Sequence, residues 1–143
     1  MSYYCDRYPI IEKKTLSRDT YSITILAPEA AKAAHTGQFA NITAPGFTLR
    51  RPISICEFSR SRGTIRFVFE VRGKGTEAIS RLNPGDNLDV LGPLGNGFKI
   101  PDSARKVILV GGGIGVPPLL GLAKKLGDRA TAILGFRDYS RII

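Results

Sequence analysis

Four short segments carry side chains or backbone whose use goes beyond packing. Arg51-Pro52-Ile53-Ser54 begins a strand directly after a turn. A guanidinium there could grip a pyrophosphate through two parallel N–H donors, a geometry lysine lacks. Pro52 fixes φ beside such a ligand, and the Ser54 hydroxyl could donate to or accept from a heteroaromatic ring. The same tetrapeptide also reads as a strand edge with a solvent-facing Arg51 and an incidental Ser54. Gly73-Lys74-Gly75-Thr76 leads into Glu77–Leu82. Its glycines allow close backbone approach and free N–H groups attract anions; equally, it is a glycine turn with Thr76 as an ordinary N-cap. Gly92-Pro93-Leu94-Gly95-Asn96-Gly97-Phe98 holds no chemical group and reads best as a connector, although its backbone could pack on a planar ligand. Gly111-Gly112-Gly113-Ile114-Gly115 lies between an apolar strand and a helix, the setting of a nucleotide loop. Pro118 stands where a third glycine would fall, and proline suits a first helical turn. A tight strand-to-helix turn without a ligand is the other reading.

Catalytic side chains of other kinds are missing from the pattern. No Ser-His-Asp or Cys-His arrangement is legible, and the single His35 is expected in a solvated loop. The carboxylates show no pairing suited to acid–base work, and no residue cluster has metal-ligand spacing. Chemistry in such a chain must come from a cofactor, and a flavin fits. Cys5 and Cys56 show no paired spacing, so they read as free thiols in a reducing compartment, with a cytoplasmic location by default. The N-terminus has no signal-peptide pattern, and apolar runs such as VILV and PPLLGLA are too short to cross a bilayer. The net charge of +9, concentrated from Arg50 to Arg81, says only that anions are welcome.

The elements that must position these segments fall into two regions. Up to about Ile100 the chain reads as all-β. Tyr21–Ile25 alternates apolar and polar residues, and Thr64–Val71 does so more clearly, with Ile65, Phe67, Phe69 and Val71 on one face. Ile10–Lys13, Phe39–Thr43, Ile53–Glu57 and Asn87–Leu91 complete six strands separated by Gly/Pro turns, which suggests an antiparallel barrel. One helix of barely two turns interrupts them after Thr76. Beyond Pro101 the grammar changes. Val107–Val110 is a continuous apolar run, as for a strand covered on both faces of a parallel sheet. A helix from about Pro118 to Leu126 and a strand at Ala130–Leu134 follow, making one βαβ unit. The fold class is therefore all-β plus partial α/β: a six-stranded antiparallel barrel over residues 1–101, then the first βαβ unit of a nucleotide-binding domain over 102–143. A sheet of two strands also implies an exposed edge along Thr131–Leu134 and a tendency to associate.

Taken in order, RPIS, FEVRGKGT, GPLGNGF and VGGGIGVPPLL resemble the ferredoxin-NADP-reductase superfamily. Within it they are most similar to electron-transfer subunits of heteromeric dihydroorotate dehydrogenases. The resemblance implies an FAD-binding barrel followed by an NAD(P)-binding domain. On that basis Arg51, Pro52, Ile53 and Ser54 would contact FAD, with Arg51 on phosphate and Ser54 near the flavin ring. Val68, Phe69, Glu70, Gly75 and Thr76 would complete that site, and Gly111, Gly112, Gly113 and Gly115 would face the nicotinamide nucleotide, NAD(H). The implied role is passing electrons between a partner's FMN, through a [2Fe–2S] centre, FAD and NAD in pyrimidine biosynthesis. The implied partner is the FMN-binding dihydroorotate dehydrogenase catalytic subunit, with no membrane or nucleic acid involved.

Two departures stand out: the four cysteine ligands of a [2Fe–2S] centre are absent, and Glu70 stands where relatives often have an arginine for the flavin phosphates, leaving only its backbone to serve. Three alternatives remain: a reductase subunit of a sulfide, sulfite or ferredoxin system; a truncated flavin-holding module without complete turnover; and a basic nucleic-acid-binding barrel, which the glycine turn after a buried strand argues against.

Overall fold

The structure, a computed structural model, describes residues 3–143. Six strands close into an antiparallel barrel: β1 (Tyr4–Ser17), β2 (Thr20–Leu26), β3 (Phe39–Thr43), β4 (Arg50–Ser59), β5 (Thr64–Glu70) and β6 (Asn87–Leu94), in the spatial order β1-β2-β5-β4-β3-β6. Closure depends on β1 serving two neighbours. Its first half pairs with β6, from Tyr4↔Gly92 to Pro9↔Asn87, and its second half pairs with β2 from Ile10↔Ile25 onward. An irregularity between Ile10 and Glu12 lets the strand turn that corner. The barrel and its six strands are as the alternation implied.

Period-two patterning fills the interior. Ile65, Phe67 and Phe69 of β5 point inward against Ile23 and Ile25 of β2 and Ile53 and Ile55 of β4, all buried. Tyr21, opposite Phe69 in the register, stacks on it with ring centroids 6.1 Å apart. Two short helices close the barrel: α1 (Pro28–Ala33) and α2 (Lys74–Ser80), which bury Ala30 and Ala31, and Ile79. The sequence reading contains no α1. Its signals are present, with Pro28 in the first turn, Glu29 beside it and a 2.7 Å Lys32–Glu29 pair, but one and a half turns are too short to show a helical period.

Beyond the barrel, β7 (Val107–Gly112) and β8 (Ala130–Gly135) pair in parallel, joined through α3 (Pro117–Leu126). Here one expectation needs correcting. β7 is covered on one face only: Leu109 is buried, while Ile108 and Val110 are 65% and 71% exposed. The reason is architectural, since α3 lies on one side of the two strands and no described element covers the other. Among the described residues β8 pairs only with β7, so its second edge is free, as anticipated.

The helix α3 rides on the outer wall of β4. Gly121 makes this possible, since a Cβ there would stand 3.3 Å from both the Cys56 carbonyl oxygen and Thr36 Cγ2. The Cys56 side chain is buried beneath, and Cys5 is exposed. Burial pushes the Cys56 thiol up from its ordinary range, Arg66 and Lys124 pull it down, and Glu57 pushes it up. The raised direction means the unfolded chain loses this proton first. Its contribution to stability is full below about pH 8.5 and declines as pH rises through the folded value. Guanidinium melts from pH 7 to 10 should show a steeper alkaline loss of stability in the parent than in Cys56→Ala; parallel curves would refute this.

Candidate functional site

The turn before β4 and the start of α2 bring distant residues together. Arg51, half-buried at the start of β4, lays its guanidinium over the Phe47 ring, 4.8 Å from the centroid, and Nη1 donates to the Leu49 carbonyl. The guanidinium fills the space beside Gly75: a Cβ built there would lie 2.2 Å from Arg51 Nε and 2.6 Å from Cζ. A side chain at 75 would therefore displace the guanidinium from this position. The neighbouring arginines are committed elsewhere. Arg50 pairs with Asp89 at 2.8 Å, Arg66 with Glu57 at 3.6 Å, Arg72 with Glu70 at 2.7 Å and Arg81 with Glu77 at 2.6 Å. Arg51 has no carboxylate partner among the described residues. Its charge is held in place by a ring and a carbonyl, and stays available to an anion.

Along β4 the alternation sorts the remaining expected residues. Pro52 and Ser54 face outward and are exposed, whereas Ile53 turns into the core and can offer a ligand only its main chain. On β5, Phe69 likewise points inward, and Val68 is buried on the outer wall beneath the C-terminal unit. The Glu70 carboxylate receives Arg72 and Arg141, each at 2.7 Å, so it too leaves only backbone for an anion.

Thr76 is not the N-cap. α2 begins at Lys74 after Gly73, which puts Thr76 in the third helical position. Its Oγ1 accepts from the N–H of Arg72 at 2.9 Å and of Gly73 at 3.3 Å, and donates to the Gly73 carbonyl at 3.0 Å. The hydroxyl therefore shapes the turn, because an oxygen three residues into a helix can reach back to the preceding backbone. Only the Thr76 main chain is left for a ligand.

The glycine turn lies at the C-terminal end of β7, where open parallel sheets bind ligands, and it sits against β5. Its glycines have different reasons. A Cβ at Gly111 would meet Leu119 Cδ1 at 2.7 Å, so this residue lets strand and helix close up. Gly113 adopts φ +50°, a left-handed conformation that favours glycine. Nothing stands within 4 Å of a Cβ at Gly113 or Gly115, and Gly112 meets only the Gly135 carbonyl at 3.9 Å. This side of the turn is open.

The Gly92–Phe98 segment is pinned as a connector. Gln38 Nε2 donates to the Gly95 carbonyl at 2.7 Å, and the Phe98 N–H donates to the Thr36 carbonyl at 2.9 Å. Sequence reasoning missed both Gln38 and Phe47. An aromatic in the Ala44–Leu49 turn was the one available hint for the latter; Gln38 carried none. Among the described residues, no group of three or more His, Cys, Asp or Glu side chains could hold a metal, and no helix is long and apolar enough to cross a membrane.

Comparison with known proteins matches residues 7–98 to the oxidoreductase FAD-binding domain model. The chain is 37% identical over 139 residues to the dihydroorotate dehydrogenase B (NAD(+)) electron transfer subunit of Geobacillus thermodenitrificans, covering 92% of this chain and 54% of that protein. For the Streptococcus pneumoniae protein of the same name the identity is 41% over 126 residues, covering 83% and 49%. The chain thus spans about half the length of the curated relatives it matches. Among solved structures, that of an NADH-dependent reduced ferredoxin-NADP oxidoreductase superposes with a TM-score of 0.86 at 33% identity, over 96% of this chain and 52% of that one. A cytochrome P450 reductase from Amycolatopsis shares the fold with a TM-score of 0.83 at 24% identity, over 98% and 45%.

Proposed function

From the premise that this chain belongs to the oxidoreductase FAD-binding domain family, we propose that it passes electrons through FAD between a nicotinamide nucleotide and a partner redox subunit. The reaction served is dihydroorotate oxidation in pyrimidine biosynthesis, in the cytoplasm, and the partner is the FMN-binding catalytic subunit. The names and identities of the relatives support this reading. The observation that carries the flavin site is the unpaired Arg51 guanidinium, fixed on Phe47 in a space that only glycine at 75 leaves open.

The residues present fit FAD. Arg51 would hold the pyrophosphate, with the main chain of Gly75 and Thr76 alongside. Pro52 and Ser54, on the outer face of β4, would contact the isoalloxazine, for which the Ser54 hydroxyl offers a donor or acceptor. The backbone of Ile53, Val68, Phe69 and Glu70 supplies the rest of the wall. FAD, when bound, supplies the exchange between two-electron and one-electron chemistry that no side chain here can perform. Residues 1–101 hold the flavin, and residues 102–143 begin the NAD(P)-binding domain, in which Gly111, Gly112, Gly113 and Gly115 let the nucleotide approach the backbone.

The test is the visible absorption spectrum of the purified chain, with identification of the flavin released on denaturation. FAD near equimolar with protein is the expected result; a colourless protein that takes up no added FAD would overturn the reading. A ferredoxin system is the second reading, favoured by the 33% identity to the ferredoxin-NADP oxidoreductase. Reconstitution with a dihydroorotate-oxidising subunit or with a ferredoxin separates the two.

A further inference from the structure

The unit of β7, α3 and β8 is held on the barrel wall by two ionic ties with an apolar seam between them. At one end Lys124 Nζ donates to Glu57 Oε1, while Glu57 Oε2 lies 3.6 Å from Arg66 Nη1. Arg66 is itself anchored, since its Nε donates to Ser22 Oγ at 2.8 Å. At the other end Arg141 Nη1 donates to Glu70 Oε1 at 2.7 Å, and Nη2 lies 3.9 Å from Asp19 Oδ2. The seam between is open on one side: Cys56, Val68, Leu109, Leu120 and Leu134 line an apolar cleft of about 230 Å³ that opens to solvent. A seam open in this way supplies fewer close contacts to fix orientation, so register falls to the ties at its ends. The two carboxylates are the less exposed partners, at 24% for Glu57 and 13% for Glu70, and partly buried pairs are screened less than exposed ones.

The strands that carry these carboxylates are those of the flavin wall. Glu57 follows Ser54 on β4, and Glu70 ends β5, against which the glycine turn lies. We propose that Glu57–Lys124 and Glu70–Arg141 are positioning pairs that set the Gly113–Gly115 turn at its working distance from the face of Ser54. This rests on the reading of that turn as the nucleotide's. The pairs touch no reacting atom; they determine where the nucleotide sits relative to the flavin wall.

Cys56 is a built-in reporter of this docking, being buried under α3 beside Gly121. In a Cys5→Ser background, N-ethylmaleimide should modify it slowly. Lys124→Met and Arg141→Met should each speed modification roughly threefold, and the double variant roughly tenfold, as expected for modest ion pairs acting at separate sites. Lys124→Arg should keep the parent rate. Added salt should speed the parent and leave the double variant unmoved. In FAD-loaded protein the double variant should also weaken NADH binding, followed by flavin absorbance, at least threefold while FAD affinity stays within about twofold.

An unchanged labelling rate in the double variant would overturn the proposal, as would a parent insensitive to salt. So would faster labelling with unaltered NADH affinity, which would mean that the ties only add stability. A variant that labels at the fully denatured rate has unfolded, and the salt titration of the parent then judges the ties alone. If the parent takes up no FAD, the functional reading fails and the positioning role with it, while labelling still reports whether the ties hold the unit in place.

Discussion

Arg51→Ala should lower the affinity of the chain for FAD by roughly tenfold to a hundredfold, as the loss of one or two charge-assisted hydrogen bonds implies. The reason lies in how little else holds that guanidinium. It meets a ring face and a carbonyl, neither of which neutralises it, so the charge is open to an anionic ligand. Arg51→Lys keeps the charge and loses the planar fork, and should fall between parent and alanine variant. Gly75→Ala reaches the same end from the other side. Its methyl would occupy the place of Arg51 Nε, so the arginine must move and affinity should fall comparably although no binding group is deleted. Equilibrium titration of apoprotein with FAD, followed by flavin fluorescence, measures all three. Parent-like affinity in Arg51→Ala would remove Arg51 from the site, and parent-like affinity in Gly75→Ala would show that the guanidinium's placement does not matter.

The second large effect concerns the barrel itself. Phe67→Ala should cost about 3–5 kcal/mol of unfolding free energy, the range for an aromatic deleted from a core that relaxes only partly. Phe67 is fully buried and pairs in register with Ile23 on one side and Ile55 on the other, so no solvent can enter to fill the space. Against a typical total of about 5–15 kcal/mol this is a large share, and a parent near the low end would be left partly unfolded at ambient temperature. Its neighbour Arg66 points outward, and Arg66→Ala, which loses a part-exposed ion pair with Glu57 and the hydrogen bond to buried Ser22, should cost about 1–2 kcal/mol. Guanidinium titration of the two variants compares inward and outward faces of one strand. A loss below about 1.5 kcal/mol at Phe67 would mean the barrel repacks freely.

What was legible in the residues follows the reach of local patterning. β5 is legible because Ile65, Phe67 and Phe69 alternate into the core, although its outer face is also covered at Val68. The glycine turn after Val107–Val110 was visible because both its flanks are strongly typed. The alternation marks β1 only from Ile10, since Tyr4–Pro9 meets the core through partly buried Tyr4 and Tyr8, not through aliphatic residues. Thr76 was misplaced because a hydroxyl in the third helical position and one at the N-cap leave the same mark in a sequence. The Arg51–Gly75 approach, the Phe47 ring beneath it and the ties from Glu57 and Glu70 join residues far apart in the chain. No window of neighbouring residues contains them.

The closure of the barrel by β1 also governs when the barrel can form. Its last seam, Tyr4↔Gly92 through Pro9↔Asn87, joins the first strand of the chain to the sixth. A nascent chain leaving the ribosome therefore holds five strands with two open edges until β6 has emerged. The β7–β8 pair, by contrast, needs only the short crossover through α3. Long loops must be closed before such distant pairings stabilise anything, so refolding should fall in the millisecond-to-second regime of barrels, not the microsecond regime of helical bundles. During that interval the edges of β1 and β3, the two strands that β6 joins, are the surfaces most open to pairing with another chain.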